Sequence, residues 1–166
     1  PDATALVIDG WTTDPTHYVK IYTAPQARHP GKWDATKYNR SSGITINEDY
    51  VRVDGLQVSI APAGSTRAII VNGSVVSADI RISNNIIRAV SISGSFNAGV
   101  YNGGISKIFN NIIYDFSGVS NYGILQNTSV LAGTAIYAYN NTILNSGNGI
   151  NFNRNEVGLF IKNNML

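Results

Sequence analysis

Cysteine is absent from this chain of 166 residues, which excludes a disulfide framework, a thiolate nucleophile and a zinc site with Cys ligands. Charged residues make up only 13% of the chain and apolar residues 43%, a balance that argues against disorder. The 12 basic and 10 acidic residues give a net charge of +2, so we expect no nucleic-acid partner. No apolar run approaches the roughly 18 residues that cross a bilayer, so we expect no membrane span.

Charge is distributed unevenly, because 13 of the 22 charged residues lie in residues 1–58. The rest of the chain is rich in Asn, which occurs 20 times in all and is typical of turns and of side-chain ladders. The sequence therefore predicts two regions: an N-terminal coil with a covering loop in residues 1–40, and a repeat region in residues 41–166.

Phrases related to Ile-x-Ile-x-Asn-Asn-x-Ile recur along the repeat region. Their copies are residues 51–58, 80–87, 106–113, 136–143 and 159–166. A second phrase, in which a Gly or Ala leads into aliphatic residues, precedes the copies at residues 43–46, 68–71, 99–102, 123–126 and 149–152. Both phrases show the period-two alternation and β-branched content of strands. We therefore expect two short strands in each repeat.

Repeated strand pairs joined by short turns bury their apolar side only when one coil stacks on the next. The sequence thus predicts an all-β fold, a parallel β-helix (solenoid) of about five to six coils. Its inward positions are Val51, Ile80, Ser106, Ile136, Leu159, Val53, Ile82, Ile108, Ala138 and Ile161. At the bend after the strand we expect left-handed backbone and an Asn ladder made of Asn85, Asn111, Asn141 and Asn164. Leu56 holds the equivalent place in the first copy, so the ladder is expected to start one coil later.

These phrases resemble the repeats of right-handed parallel β-helix proteins of the pectate-lyase-like superfamily, and the resemblance covers residues 40–166. It implies a right-handed coil and an exported or surface protein of bacterial origin. Members of the superfamily include polysaccharide lyases and hydrolases, epimerases, phage tailspikes and adhesins, so the fold leaves the function open.

Catalysis in such a lyase would use an Arg or Lys as base beside Ca²⁺ held by clustered acidic residues. A glycosidase would instead need two carboxyls about 5–10 Å apart. The acidic residues after Asp54 are few and fall in different columns of the coil: Asp79, Asp115 and Glu156. If the protein is an enzyme, its catalytic candidates are Arg52, Asp54, Asp79 and Arg81. We expect no metal site and no cofactor, with Ca²⁺ a candidate for a lyase alone.

Outward-facing positions form a second pattern, because the residues four and two places before each bend lie on one outer face. Adjacent coils are about 4.8 Å apart, so these residues are predicted to make a flat strip of cations and aromatic rings. Such a strip suits sugar rings, an acidic polysaccharide or a neighbouring protein subunit. Alternatively, loops or a further part of the chain cover the rings. The predicted binding residues are Arg52, Arg81, Lys107, Phe109, Tyr137, Tyr139 and Phe160.

Three functions remain open from the sequence. The first is a non-catalytic structural, carbohydrate-binding or partner-binding module of an exported or cell-surface protein, whose signal peptide is not in this chain. The second is a polysaccharide lyase or glycoside hydrolase acting on an extracellular glycan. The third is a subunit that stacks end to end into a filament. The last repeat stops at Leu166 without a polar cap, which favours a fragment of a longer protein or this self-association.

Overall fold

The computed structural model describes residues 1–73, 79–126, 135–152 and 158–166. Its strands form three sheets in which all neighbouring strands are parallel. Sheet 1 contains β1 Leu6–Ile8, β3 Ile44–Ile46, β6 Arg67–Val71, β9 Ala98–Asn102, β12 Tyr122–Gln126 and β15 Asn148–Phe152. Sheet 2 contains β2 Val19–Tyr22, β4 Val51–Asp54, β7 Ile80–Ser83, β10 Ser106–Phe109, β13 Ala135–Tyr139 and β16 Gly158–Lys162. Sheet 3 contains β5 Gln57–Ile60, β8 Ile86–Ala89, β11 Ile112–Tyr114 and β14 Thr142–Leu144.

Each complete coil contains three strands rather than the two predicted. The Asn pair does not lead into a loop. It forms a two-residue corner between two strands, because β10 ends at Phe109 and β11 begins at Ile112. Four coils have a strand in every sheet, so the described residues make about four turns, slightly fewer than predicted. The predicted fold class, an all-β parallel solenoid, is confirmed.

Aliphatic side chains fill the bore of the solenoid. Val53, Ile82 and Ile108 pair in register across three strands of sheet 2, and all three are fully buried. Burying one such side chain stabilises the fold by about 1.5–3 kcal/mol. Leu159 and Ile161 keep the predicted inward register but are 45% and 42% exposed, because β16 is the outermost strand of sheet 2.

A buried Asn ladder runs along the corner between sheets 2 and 3, as predicted. The Oδ1 atom of Asn111 accepts hydrogen bonds from the backbone N–H and the Nδ2 of Asn85, both at 3.0 Å. Asn141 accepts from Asn111 in the same way, and Asn164 from Asn141. Each Nδ2 also donates to a backbone carbonyl of the preceding coil. The ladder starts at the N–H of Leu56, which donates to Asn85, so the buried polar groups of these corners are paired.

The two residues of each Asn pair have different roles. The left-handed backbone was predicted at the second residue, and this is wrong: positive φ, between 52° and 57°, occurs at the first, namely Asn84, Asn110, Asn140 and Asn163. The second residue makes the ladder. In the first copy Gly55 takes the turning position with φ of 73°, and an added Cβ there would overlap the guanidinium of Arg28. Turning and laddering are therefore separate requirements on adjacent residues.

A buried side-chain amide, that of Gln57, helps to fasten the N-terminal loop between β2 and β3 to the solenoid. The loop contains a 3-10 helix, Pro25–Ala27. Gln57 is fully buried, and its Oε1 accepts a 2.7 Å hydrogen bond from the N–H of Asp34. Its Nε2 donates to the carbonyls of Asp34 and Tyr38 at 2.9 and 3.1 Å. These bonds hold the loop against β5, which places Arg28 beside sheet 2.

Candidate binding face on sheet 2

The outer face of sheet 2 carries two columns of side chains, with one residue from each strand in register. The first column contains Lys20, Arg52, Arg81, Lys107, Tyr137 and Phe160. The second column contains Tyr22, Asp54, Ser83, Phe109, Tyr139 and Lys162. The structure therefore brings all seven predicted binding residues onto one face.

Asp79 neutralises part of the positive charge of the first column. Its carboxylate accepts hydrogen bonds from Nε and Nη2 of Arg81 at 2.9 and 2.6 Å, and from Nζ of Lys107 at 3.3 Å. Nη2 of Arg52 lies 3.8 Å away, which is an ion pair beyond hydrogen-bond distance. The hydrogen bonds from Arg81 outweigh partial burial and hold the pKa of Asp79 below its usual range. The carboxylate is therefore ionised at neutral pH.

Asp54, in the second column, is held by a separate set of donors. Nη1 and Nη2 of Arg28 lie 3.2 Å from its two oxygens, and Nδ2 of Asn84 and Oγ of Ser83 donate to Oδ1 at 2.7 and 3.3 Å. Partial burial raises the pKa of Asp54, but the hydrogen bonds from Arg28 and Asn84 together outweigh it and leave the pKa below its usual range. Asp54 and Asp79 thus belong to two independent ion clusters.

The aromatic residues form two stacks. The ring centroids of Phe109 and Tyr139 are 4.9 Å apart and those of Tyr137 and Phe160 are 4.6 Å apart, with the planes of each pair inclined by 4°. These spacings match the separation between neighbouring strands, so the rings face one another from coil to coil. The predicted strip is therefore not flat: the two rings of each pair stand on edge, face to face across neighbouring coils.

Three of the four catalytic candidates line one shallow depression of about 260 Å³, which we call the Ser83 depression. Its lining residues are Lys20, Arg52, Asp54, Arg81, Ser83, Asn84 and Phe109. The fourth candidate, Asp79, is engaged with Arg81 and Lys107. The structure therefore does not bring the carboxylates of Asp54 and Asp79 together in one groove.

The remaining candidates for metal or acid–base chemistry lie elsewhere. Asp115 accepts a 2.8 Å hydrogen bond from Asn145, and Glu156 lies outside the described residues. His29 donates from Nε2 to the carbonyl of Asn84 at 2.9 Å, and burial lowers its pKa. Within the part of the chain that the structure describes, no three His, Asp or Glu side chains group as metal ligands would.

Several residues of this face were not predicted from the sequence. Lys20 and Tyr22 extend both columns by one strand, and the alternation in Val19–Tyr22 matches that of Val51–Asp54. No Asn pair follows β2, so the repeat phrase misses it. The guanidinium of Arg52 lies 3.4 Å over the ring of Tyr18, a contact between segments of different repeats that no local pattern indicates.

Comparisons with protein-family models, with curated proteins and with solved structures found no match. The parallel β-solenoid is shown by the strand pairing itself, and the superfamily named above remains a prediction. Among the described residues, no helix has the length and apolar character that crossing a bilayer requires.

Proposed function

We propose that this chain is a non-catalytic binding module of an exported or cell-surface protein, and that the outer face of sheet 2 binds an acidic polysaccharide. One observation carries the proposal: a line of four cations leads, on the same face, into two stacked aromatic pairs. The cations are Lys20, Arg52, Arg81 and Lys107. A polysaccharide with repeated anionic groups and apolar ring faces complements such a surface over several coils.

The balance of charge on this face favours an anion. Both nearby carboxylates, Asp54 and Asp79, are already hydrogen-bonded to cations. Arg52 lies near Asp79 without a hydrogen bond, and Lys20 contacts the ring of Tyr22, with Nζ 4.9 Å from its centroid. The surplus positive charge attracts anions and makes their binding sensitive to salt.

Binding accounts for the two carboxylates better than acid–base catalysis does. Glycoside hydrolysis by a carboxyl pair needs one member that stays protonated, with a raised pKa. The pKa values of Asp54 and Asp79 are both lowered, and each carboxylate accepts two hydrogen bonds from an Arg guanidinium. Both carboxylates therefore serve to hold the neighbouring cationic side chains in place.

The exported setting is proposed from the resemblance of the repeats. It is tested by fractionating cells that express the natural gene and following the protein with an antibody. Recovery from the medium or the cell surface is expected, and recovery from the cytoplasm would contradict this part of the proposal.

The binding proposal is tested by affinity electrophoresis in gels containing polygalacturonate, alginate or neutral dextran. We expect retardation by the two acidic polymers, weakened by added salt, and none by dextran. The variant Arg52→Gln/Lys107→Gln should lose at least fivefold in affinity, because it removes two cations of the first column. Arg67→Gln/Arg88→Gln is the matched control, since it removes the same charge from sheets 1 and 3.

An equal loss in the control variant, or no retardation of the wild type by any polymer, would contradict the proposed face. The same incubations are followed for unsaturated products by ultraviolet absorbance and for new reducing ends. Cleavage that disappears when Arg52, Asp54, Asp79 or Arg81 is replaced by Ala would overturn the non-catalytic proposal in favour of a lyase or hydrolase.

A further inference from the structure

Ser83 leaves a gap in the second column of sheet 2. Its neighbours in the column are Asp54 in the preceding coil and Phe109 in the following one. Ser83 has a side chain of two heavy atoms and is 8% exposed, so it forms a floor rather than filling the space. The Ser83 depression occupies this gap, and its volume of about 260 Å³ is below the roughly 300–1,000 Å³ of drug-sized sites. The space therefore suits a single ring-sized group.

One face of the Phe109 ring looks into the gap. Its opposite face is stacked on Tyr139, which belongs to the following coil, so the free face is directed toward Ser83. A ring seated over Ser83 would continue the stack that Phe109 and Tyr139 begin, at the spacing the coils impose. The gap is thus shaped for a flat or nearly flat ring.

Two guanidinium side chains that line the depression, those of Arg52 and Arg81, have nitrogen atoms without an acceptor among the described contacts. Nε of Arg52 is buried without a hydrogen-bond partner in the part of the chain that the structure describes. Arg81 uses Nε and Nη2 on Asp79, and no described hydrogen bond involves its Nη1. The carboxylate of Asp54, by contrast, already accepts four hydrogen bonds. An occupant that supplies acceptors is therefore favoured, and an anionic group is the acceptor that guanidinium donors bind best.

We infer that the Ser83 depression is a subsite for one acidic sugar residue, whose ring stacks on Phe109 while its carboxylate or sulfate accepts hydrogen bonds from Arg52, Arg81 and Lys20. This inference rests on the proposed function and deepens it by naming the sugar class. A carboxylate and a sulfate share the required chemistry, and the experiment separates them.

The test replaces Ser83 by a residue whose side chain fills the gap. In Ser83→Phe the new ring stacks on the free face of Phe109, as rings already do in the following coil, so the variant is expected to fold. Ser83→Ala is the matched control, because it removes the hydroxyl and keeps the space. Thermal unfolding of both variants checks that the solenoid is intact.

Isotope-labelled protein is titrated with glucuronic acid, glucose 6-sulfate and glucose, and amide shifts are followed by NMR. We expect either or both acidic sugars to shift the amides around Ser83 and Phe109, and glucose to bind at least tenfold more weakly. Ser83→Phe and Arg52→Gln should each weaken binding of the acidic sugars at least tenfold, and Ser83→Ala less than threefold. The relative affinities of the two acids identify the preferred group.

Binding of glucose as tight as that of the acids would overturn the inference, as would unchanged affinity in a folded Ser83→Phe variant. Retardation of Ser83→Phe like that of the wild type in polygalacturonate and alginate gels would refute this subsite and leave the proposed face standing. Absence of any binding by the wild type would refute both.

Discussion

The corner between sheets 2 and 3 and the outer face of sheet 2 repeat with the same coil period, but they differ in whether the residue type is kept from coil to coil. Along the corner, the same residue type recurs from Asn85 to Asn164, and each Oδ1 accepts a hydrogen bond from the backbone N–H at the corner of the preceding coil. On the outer face of sheet 2, residues in identical register change from cations to aromatic rings, as between Arg81 and Tyr137. Backbone groups that must be paired constrain the corner, whereas the outer face is free to vary in chemistry.

This difference separates what holds the fold together from what contacts a ligand. Substitution of a corner residue breaks hydrogen bonds in two coils at once. Substitution of a residue in an outer column changes mainly side-chain contacts. Four comparisons test this contrast, in order of the decreasing effect on stability that we expect from replacing Asn111, Asn110, Lys107 and Asp79.

Asn111→Ala should have the largest effect on stability. It leaves the buried N–H of Asn85 without its acceptor, at a cost of roughly 1–3 kcal/mol, and it also removes the hydrogen bonds that Asn111 makes with Nδ2 of Asn85 and with the carbonyl of Ile82. We expect a loss of about 3 kcal/mol or more in the free energy of unfolding, measured with urea. Asn164→Ala is the control at a half-buried rung and should cost about 1 kcal/mol. Equal costs at the two rungs would mean that burial does not control the ladder.

A comparison at Asn110 tests the separation of turning from laddering. Its backbone has φ of 55° and its side chain is exposed, so Asn110→Gly should change stability by less than about 0.5 kcal/mol. Asn110→Val places a β-branched residue in left-handed backbone and should cost about 1–2 kcal/mol. Urea unfolding of both variants measures the difference. A large loss in Asn110→Gly would show that the Asn110 side chain, rather than its backbone conformation, stabilises the corner.

Lys107→Tyr tests the freedom of the outer face. The new ring can stack on Tyr137 and replaces a partly exposed ion pair, so the free energy of unfolding should change by less than about 1 kcal/mol. Ser106, the adjacent residue, points inward and is 1% exposed, so Ser106→Tyr should overpack the core by about 1–3 kcal/mol or more. Similar losses in the two variants would contradict the contrast between the two faces.

Asp79→Asn should give the smallest effect, and that effect should depend on pH. Hydrogen bonds from Arg81 lower the pKa of Asp79 from its usual 3.8, so the carboxylate stabilises the fold above that pH and loses this contribution as pH falls below it. The thermal midpoints of wild type and Asp79→Asn should therefore differ at pH 7 and converge as the pH drops below 3.8. A difference that persists unchanged to pH 2 would show that Asp79 acts through packing instead.

The coil register was predictable because alternation and the Asn marker recur together. Arg52, Arg81 and Lys107 occupy the predicted column because each stands at the same distance from its corner. The third strand was not predicted: a corner of two residues, as at Asn110 and Asn111, contains no Gly or Pro and continues directly into aliphatic residues. The pattern alone cannot show where such a chain bends.

Long-range contacts of the candidate site were beyond local patterns. Arg28 reaches Asp54 from the N-terminal loop, which has no repeat to give it a register. The stacking of Phe109 on Tyr139 follows from the spacing between coils. The gap beside Phe109 exists because Ser83 is small, and the sequence of the column alone did not indicate it. The candidate site therefore exists only once the coils and the N-terminal loop are assembled.

We expect ligand contact to be confined to the variable columns of sheet 2. The most direct measurement is NMR mapping of the labelled chain titrated with a short polygalacturonate oligosaccharide. We predict that shifted amides cluster on β4, β7 and β10, with those of sheets 1 and 3 unchanged. Shifts centred on sheet 1 or sheet 3, or none at saturating oligosaccharide, would contradict it.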